Sequence, residues 1–307
     1  MKSLSACHLL ATACVLLSAC SKNDQALEQV SAKTKARNTK TSYTDLPARV
    51  FAGHKAALLK AEYMCKKGRD RFDGATILYN DRKTKPDAEF VSRDPRRGCR
   101  RVITYAIGQN CTRDFGVSRQ SVHNAIDRAM ETWSRTCCTH IQFQKQANRE
   151  QIGYVSSLLG FGGNETNKAD LQHAGFLPGE FFDVLTPDGG NFILAVTFTF
   201  IFFDENGMPT DIDNDGVNDA AFRETYYNDR FNWRISLQND YDIESVALHE
   251  AGHSLGLSHF GKGIQLKNGK IIFTPRAVMN AVYVNALREP TKEDRSFLCS
   301  VWYDWNR

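Results

Sequence analysis

Apolar positions recur along the chain at two periods, and each period predicts an element. After Lys2, residues 4–17 are almost continuously apolar. Residues 21–45 are polar, with Lys33, Lys35, Arg37 and Lys40, and predict a solvated tether. From residue 46 to 67, Phe51, Leu58, Leu59 and Met64 stand among alanines and lysines, a pattern that predicts a helix. Residues 68–98 are charged and irregular, and residues 101–107 (RVITYAI) read as a strand. Ser118 opens the clearest helix of the first half: Val117 and Val122 form a hydrophobic staple around it. Val122, Ala125, Ile126, Ala129, Met130 and Trp133 then follow at helical spacing, a core stripe. Residues 141–143 predict a short strand, and residues 192–203, with threonine alternating with phenylalanine, a buried one. That run is too short to cross a bilayer, which takes about 20 apolar residues. Asp242 is placed to cap a helix beginning at Ile243, and a last helix follows Thr291. The glycine-rich turn at 160–163 lacks the Lys-Ser/Thr of a phosphate loop, which argues against a nucleotide site. There are no internal repeats.

The 307 residues, 42% hydrophobic and 24% charged, are globular in composition, and a net charge of +4 is too mild to argue for nucleic acid. The N-terminus changes the picture more. A short positive start, an apolar run and the closing Leu17-Ser18-Ala19-Cys20 read as a secretory signal. Its end resembles a bacterial lipobox, which implies a diacylated Cys20 as the mature first residue and attachment to a membrane through two or more acyl chains. Ser21, by resemblance to Gram-negative lipoproteins, implies the outer membrane. Removing residues 1–19 leaves Cys65, Cys99, Cys111, Cys137, Cys138 and Cys299, an even set that reads as disulfides in an exported protein. The expected organisation is a signal peptide (1–19), a tether (20–45), an N-terminal segment with a propeptide-like character (46–98) and a body (99–307).

The chemistry is concentrated at His249-Glu250-Ala251-Gly252-His253-Ser254-Leu255-Gly256-Leu257-Ser258-His259. A helix stacks His249 and His253 on one face, where two imidazoles can hold one zinc. Glu250 lies beside them without being needed as a ligand. Gly256 lets the chain leave the helix with positive φ, so that His259 can return as a third ligand. Three protein ligands leave a position open, as catalytic zinc requires. Chance placement of these five fixed residues is on the order of 10⁻⁵ per chain. A second cluster, Asp211, Asp213, Asp215 and Asp219 with Gly216 and the carbonyl of Val217, has the spacing of a calcium loop and resembles EF-hand-like loops. Phe222 stands where such loops have their bidentate glutamate. A structural Ca2+ ordering this turn is expected.

The extended three-histidine motif, with Met279 in Ala277-Val278-Met279-Asn280 after it, resembles the metzincin zinc peptidases, and within them the matrixins. The resemblance covers roughly residues 100–307. It implies an α+β fold: a twisted, mostly parallel sheet, an active-site helix and a C-terminal helix. It implies catalytic zinc on His249, His253 and His259, Glu250 as general base in peptide hydrolysis, and Met279 as a packing floor beneath the metal. It also implies a substrate strand antiparallel to a sheet edge within 192–203. Two features depart from the family: Phe260 follows the third histidine where matrixins usually have serine, and no histidines for a second zinc are apparent. Cys65 and Cys99 lie upstream, but neither sits in a close match to the segment with which matrixin zymogens block zinc. The expectation is therefore a monomeric zinc endopeptidase lipid-anchored outside the cytoplasm and acting on peptides or proteins. The rival is a non-catalytic metal-binding surface lipoprotein, against which an intact Glu250 argues.

Overall fold

A computed structural model describes residues 46–67, 76–81, 86–110, 116–136, 141–237, 241–268, 270–303 and 305. The signal segment, Cys20, the tether, Cys111, Cys137 and Cys138 lie outside the described residues. In chain order the strands begin with β1 (Arg49–Phe51), β2 (His54–Lys66), β3 (Thr76–Asp81), β4 (Ala88–Glu89) and β5 (Ile103–Asn110). Helix α1 (Arg119–Ser134), strand β6 (Phe143–Lys145), helix α2 (Tyr154–Leu159), strand β7 (Leu171–Leu177) and helix α3 (Gly179–Asp183) follow. Then come β8 (Ile193–Phe203), β9 (Asn218–Asn228), β10 (Trp233–Arg234), β11 (Tyr241–Asp242) and helix α4 (Ile243–Ser254). Strands β12 (Gly261–Gln265), β13 (Ile271–Thr274) and β14 (Val282–Tyr283) and helix α5 (Lys292–Trp302) complete the chain.

The fold is α+β, built on one large mixed sheet in the order β1-β2-β8-β9-β7-β5-β6. The β9-β7-β5-β6 half is parallel. β1, β2 and β8 add three antiparallel pairs. Two of these come from residues 46–67, which form β1 and β2 and not the expected helix. Alanine, leucine and lysine favour helices only weakly, and here pairing decides: β2 is hydrogen-bonded to β8 from Lys55 opposite Phe203 to Cys65 opposite Ile193.

Elsewhere the periods lead to the observed elements. Ser118 caps α1 by accepting from the Ser121 amide, and all six residues of the expected stripe are buried. That stripe packs with α4 against one face of the sheet. Along β8 the period of two sends Val196, Phe198, Phe200 and Phe202 into the opposite core. Thr197 and Thr199 are buried on the face that carries α4. Cys65 (buried) and Cys99 (exposed) keep their thiols, which corrects the expectation that all six cysteines pair, whereas Cys299 is disulfide-bonded. Among the described residues no helix is long and apolar enough to cross a membrane.

Candidate active site

Helix α4 lies wholly inside the protein, with all twelve residues buried. Asp242 caps it by accepting from the Ser245 amide at 3.0 Å, and Arg288 pairs with the same carboxylate at 2.6 Å. The helix ends where the motif requires: Gly256 has φ of 89°, a left-handed conformation open to glycine at little cost. The chain therefore turns back and delivers His259 to the two helical histidines.

The three imidazoles converge edge to edge. His249 Nε2 is 3.1 Å from His253 Nε2 and 3.2 Å from His259 Nε2, and His253 and His259 are 3.0 Å apart. Tetrahedral ligands at 2.0–2.1 Å from one zinc are separated by about 3.3 Å, so this donor set fits that ion. The other ring nitrogens are engaged. His249 Nδ1 meets the Val278 carbonyl at 2.7 Å and His253 Nδ1 the Leu257 carbonyl at 2.8 Å. A carbonyl can only accept, so both Nδ1 atoms carry the proton and both Nε2 lone pairs are free. Burial lowers all three histidines, His249 to about 4 and His253 and His259 well below the usual value, with their mutual repulsion adding to the effect for the latter two. Neutral imidazoles are the ligand form.

Glu250 is buried beside them. Thr197 Oγ1, from β8, donates to its Oε2 at 2.7 Å, and Thr225 on β9 lies 2.9 Å behind Thr197. Oε1 makes no close hydrogen bond. Burial raises the carboxyl to about 8, against the stabilising Thr197 hydroxyl; Glu62 raises it further and the Met64 amide lowers it. A raised carboxyl near an open metal position suits a group that takes and returns protons. Met279 packs against the histidine helix: it is fully buried, and a Cβ on Gly252 would sit 2.3 Å from its sulfur. Asp294, from α5, fixes this turn by accepting from the Val278 and Met279 amides at 2.8 and 3.1 Å.

A family model for matrixins matches residues 97–266. The chain belongs to the matrixin family. Membership carries metalloprotease activity and zinc as the metal, and the His249, His253 and His259 group is one that could hold it. No curated protein matches the chain. The matched region of this matrixin ends before Met279 and begins after β2, so Met279 and the first strands lie outside it.

The acidic loop is placed differently from its spacing. Asp211, Asp213 and Asp215 come together, their carboxylate oxygens within 4.8 Å of one another. The Asp219 carboxylate is instead turned to Arg96, at 2.8 Å, and accepts from the Ile212 amide. The amide of Val217 donates to Asp215 Oδ1. Glu89 of β4 joins the cluster by its hydrogen bond with Asp215. Burial, then Asp215 and Asp213, pushes its carboxyl up to about 8. Sequence spacing offered no sign of Glu89, Thr197 or Asp294, each brought in from a distant element.

Proposed function

We propose that the protein is a zinc-dependent endopeptidase of extracytoplasmic proteins in which Glu250 is the general base. The observation that carries this reading is the convergence of three neutral Nε2 atoms with a buried carboxyl that none of them needs as a ligand. When bound, zinc supplies Lewis acidity to the scissile carbonyl and acidifies water. His249, His253 and His259 hold it. Glu250 takes the proton of the attacking water and passes it to the leaving amine, while Thr197 keeps the carboxylate aimed. The expected sheet edge within 192–203 is not free, because β2 pairs along both β8 and β14; an extended peptide aligns there in place of β2.

The same reading places the protein outside the cytoplasm, anchored through Cys20, on the strength of the signal and lipobox-like residues. It also places a calcium ion on Asp211, Asp213 and Asp215, with Glu89 as a further oxygen donor, where four carboxyl groups otherwise repel.

The test is mass-spectrometric analysis of a mixed peptide library after incubation with the protein, with the protein stripped by chelator, and with stripped protein given zinc back. Cleavage that disappears with the metal and returns with it is expected. A zinc-loaded protein that cuts nothing, even with the 46–67 segment displaced, would contradict the proposal.

A further inference from the structure

The β8 edge along which a peptide would align is already filled, by the protein's own β2. We propose that this enzyme hydrolyses its own chain between Tyr63 and Met64. The inference rests on the endopeptidase reading and adds to it a specific substrate bond.

Three observations fix the bond. First, β2 lies between two backbone edges, antiparallel to β8 on one side and parallel to β14 on the other. Its amides alternate between them: Cys65 donates to the Ala281 carbonyl at 3.0 Å and Lys66 to the Phe192 carbonyl at 2.8 Å. A strand gripped from both sides at consecutive residues is held in one register. Second, that register carries it across the histidines. The Glu62 carboxylate is 3.5 Å from His253 Nδ1, and, two residues on, the Met64 amide faces the Glu250 carboxylate. The Tyr63 carbonyl and the Met64 nitrogen are therefore the peptide group at the centre. Third, Met64, only 5% exposed, forms part of the wall of a small mixed pocket with Val278, Val282, Ser245, Arg276 and Asn280. The Met64 side chain is thus buried against the residues around His249, and a flexible apolar side chain adapts to such surroundings.

The step balances without any redox partner. The oxygen of one water bonds to the Tyr63 carbonyl carbon, and the C–N bond to Met64 breaks. Glu250 moves one water proton to the Met64 nitrogen, and the second passes from the new carboxylic acid to the same nitrogen, which leaves as an ammonium group. The products are a chain ending in the Tyr63 carboxylate and one beginning with the Met64 amine. The cut separates the long β2–β8 pairing, residues 55–63, from the short stretch at 64–66, so each half is held by fewer hydrogen bonds and the cleft opens to other peptides.

The experiment uses the full chain, purified under chelator and then given zinc, with intact mass and N-terminal sequence followed over time. A fragment beginning at Met64 is expected, at a first-order rate constant unchanged by tenfold dilution. Glu250→Ala should stay in one piece. Met64→Lys, which puts a charged side chain at a buried position beside Arg276, should slow the cut at least about tenfold and admit added peptides from the start. Hydrogen exchange on zinc-free protein gives a reading independent of turnover: the Cys65 and Lys66 amides should be protected in the parent and exchange freely in Met64→Lys. A chain left intact, or cut at another bond, by a sample that cleaves added peptides would overturn this inference and leave the endopeptidase standing. Zinc-loaded parent and Met64→Lys that cleave neither chain nor peptides would overturn both.

Discussion

Glu250 meets Thr197 across a gap of 53 residues, and the hydroxyl donates to one carboxylate oxygen only. Hydrogen bonds to charged groups are worth about 1.5–3 kcal/mol, so Thr197→Val should lower kcat roughly 10- to 150-fold. Because Thr197 acts through Glu250, KM should hold and the acid limb of the kcat profile should move; steady-state kinetics across pH checks both. Gly256, Ser118 and Asp242 were legible in the sequence because their roles are local: a left-handed turn and two caps. Thr197 was not, because its role comes from the pairing of β8 with β9 under α4 and no spacing in the chain encodes it.

At the scale of elements, α5 fixes the histidine platform through Asp294. The carboxylate closes a capping box with Thr291 and takes the Val278 and Met279 amides as well. Its loss leaves several buried donors unpaired, each at about 1–3 kcal/mol. Asp294→Ala should therefore lower Tm by several degrees in a thermal melt. It should also weaken zinc about 10- to 100-fold in a chelator competition, because Val278 orients His249. The acidic loop gives a pH-dependent expectation. Without a cation, Glu89 keeps a proton up to about 8 that the unfolded chain gives up near 4.5. Its contribution is full below about 4.5 and is lost as pH rises through that window. Calcium neutralises the ionised cluster, so the rise in Tm on adding it should be larger at pH 8 than at pH 5; an equal rise at both would argue against Glu89 at the site. The helical reading of residues 46–67 shows why strands are harder to read than helices. Local residues suggested a period, while the decisive partner, β8, lies well over a hundred residues later.

For the whole molecule, the buried Arg97–Asp170 pair ties the turn at residues 95–97 to the start of β7 and, through Thr104, to β5. Burial raises the Asp170 carboxyl, but Arg97 and the Thr104 donors outweigh it and hold the pKa below the usual value. Stability from this pair is thus present above the unfolded pKa, near 3.8, and lost as pH falls through the folded one. Breaking it with Asp170→Asn should cost about 3–5 kcal/mol in denaturant unfolding at neutral pH, and less in strong acid. Sheet, helix and histidines form one frame around Glu250, and the central claim is the division of labour within it. The most direct test compares kcat/KM on peptides for the parent and for Glu250→Ala, both with residues 1–63 removed, at matched zinc content. The account predicts one zinc per chain in both and a loss of about 10²–10⁴ in the variant. Zinc missing from the variant, or cleavage within a fewfold of the parent, would contradict it.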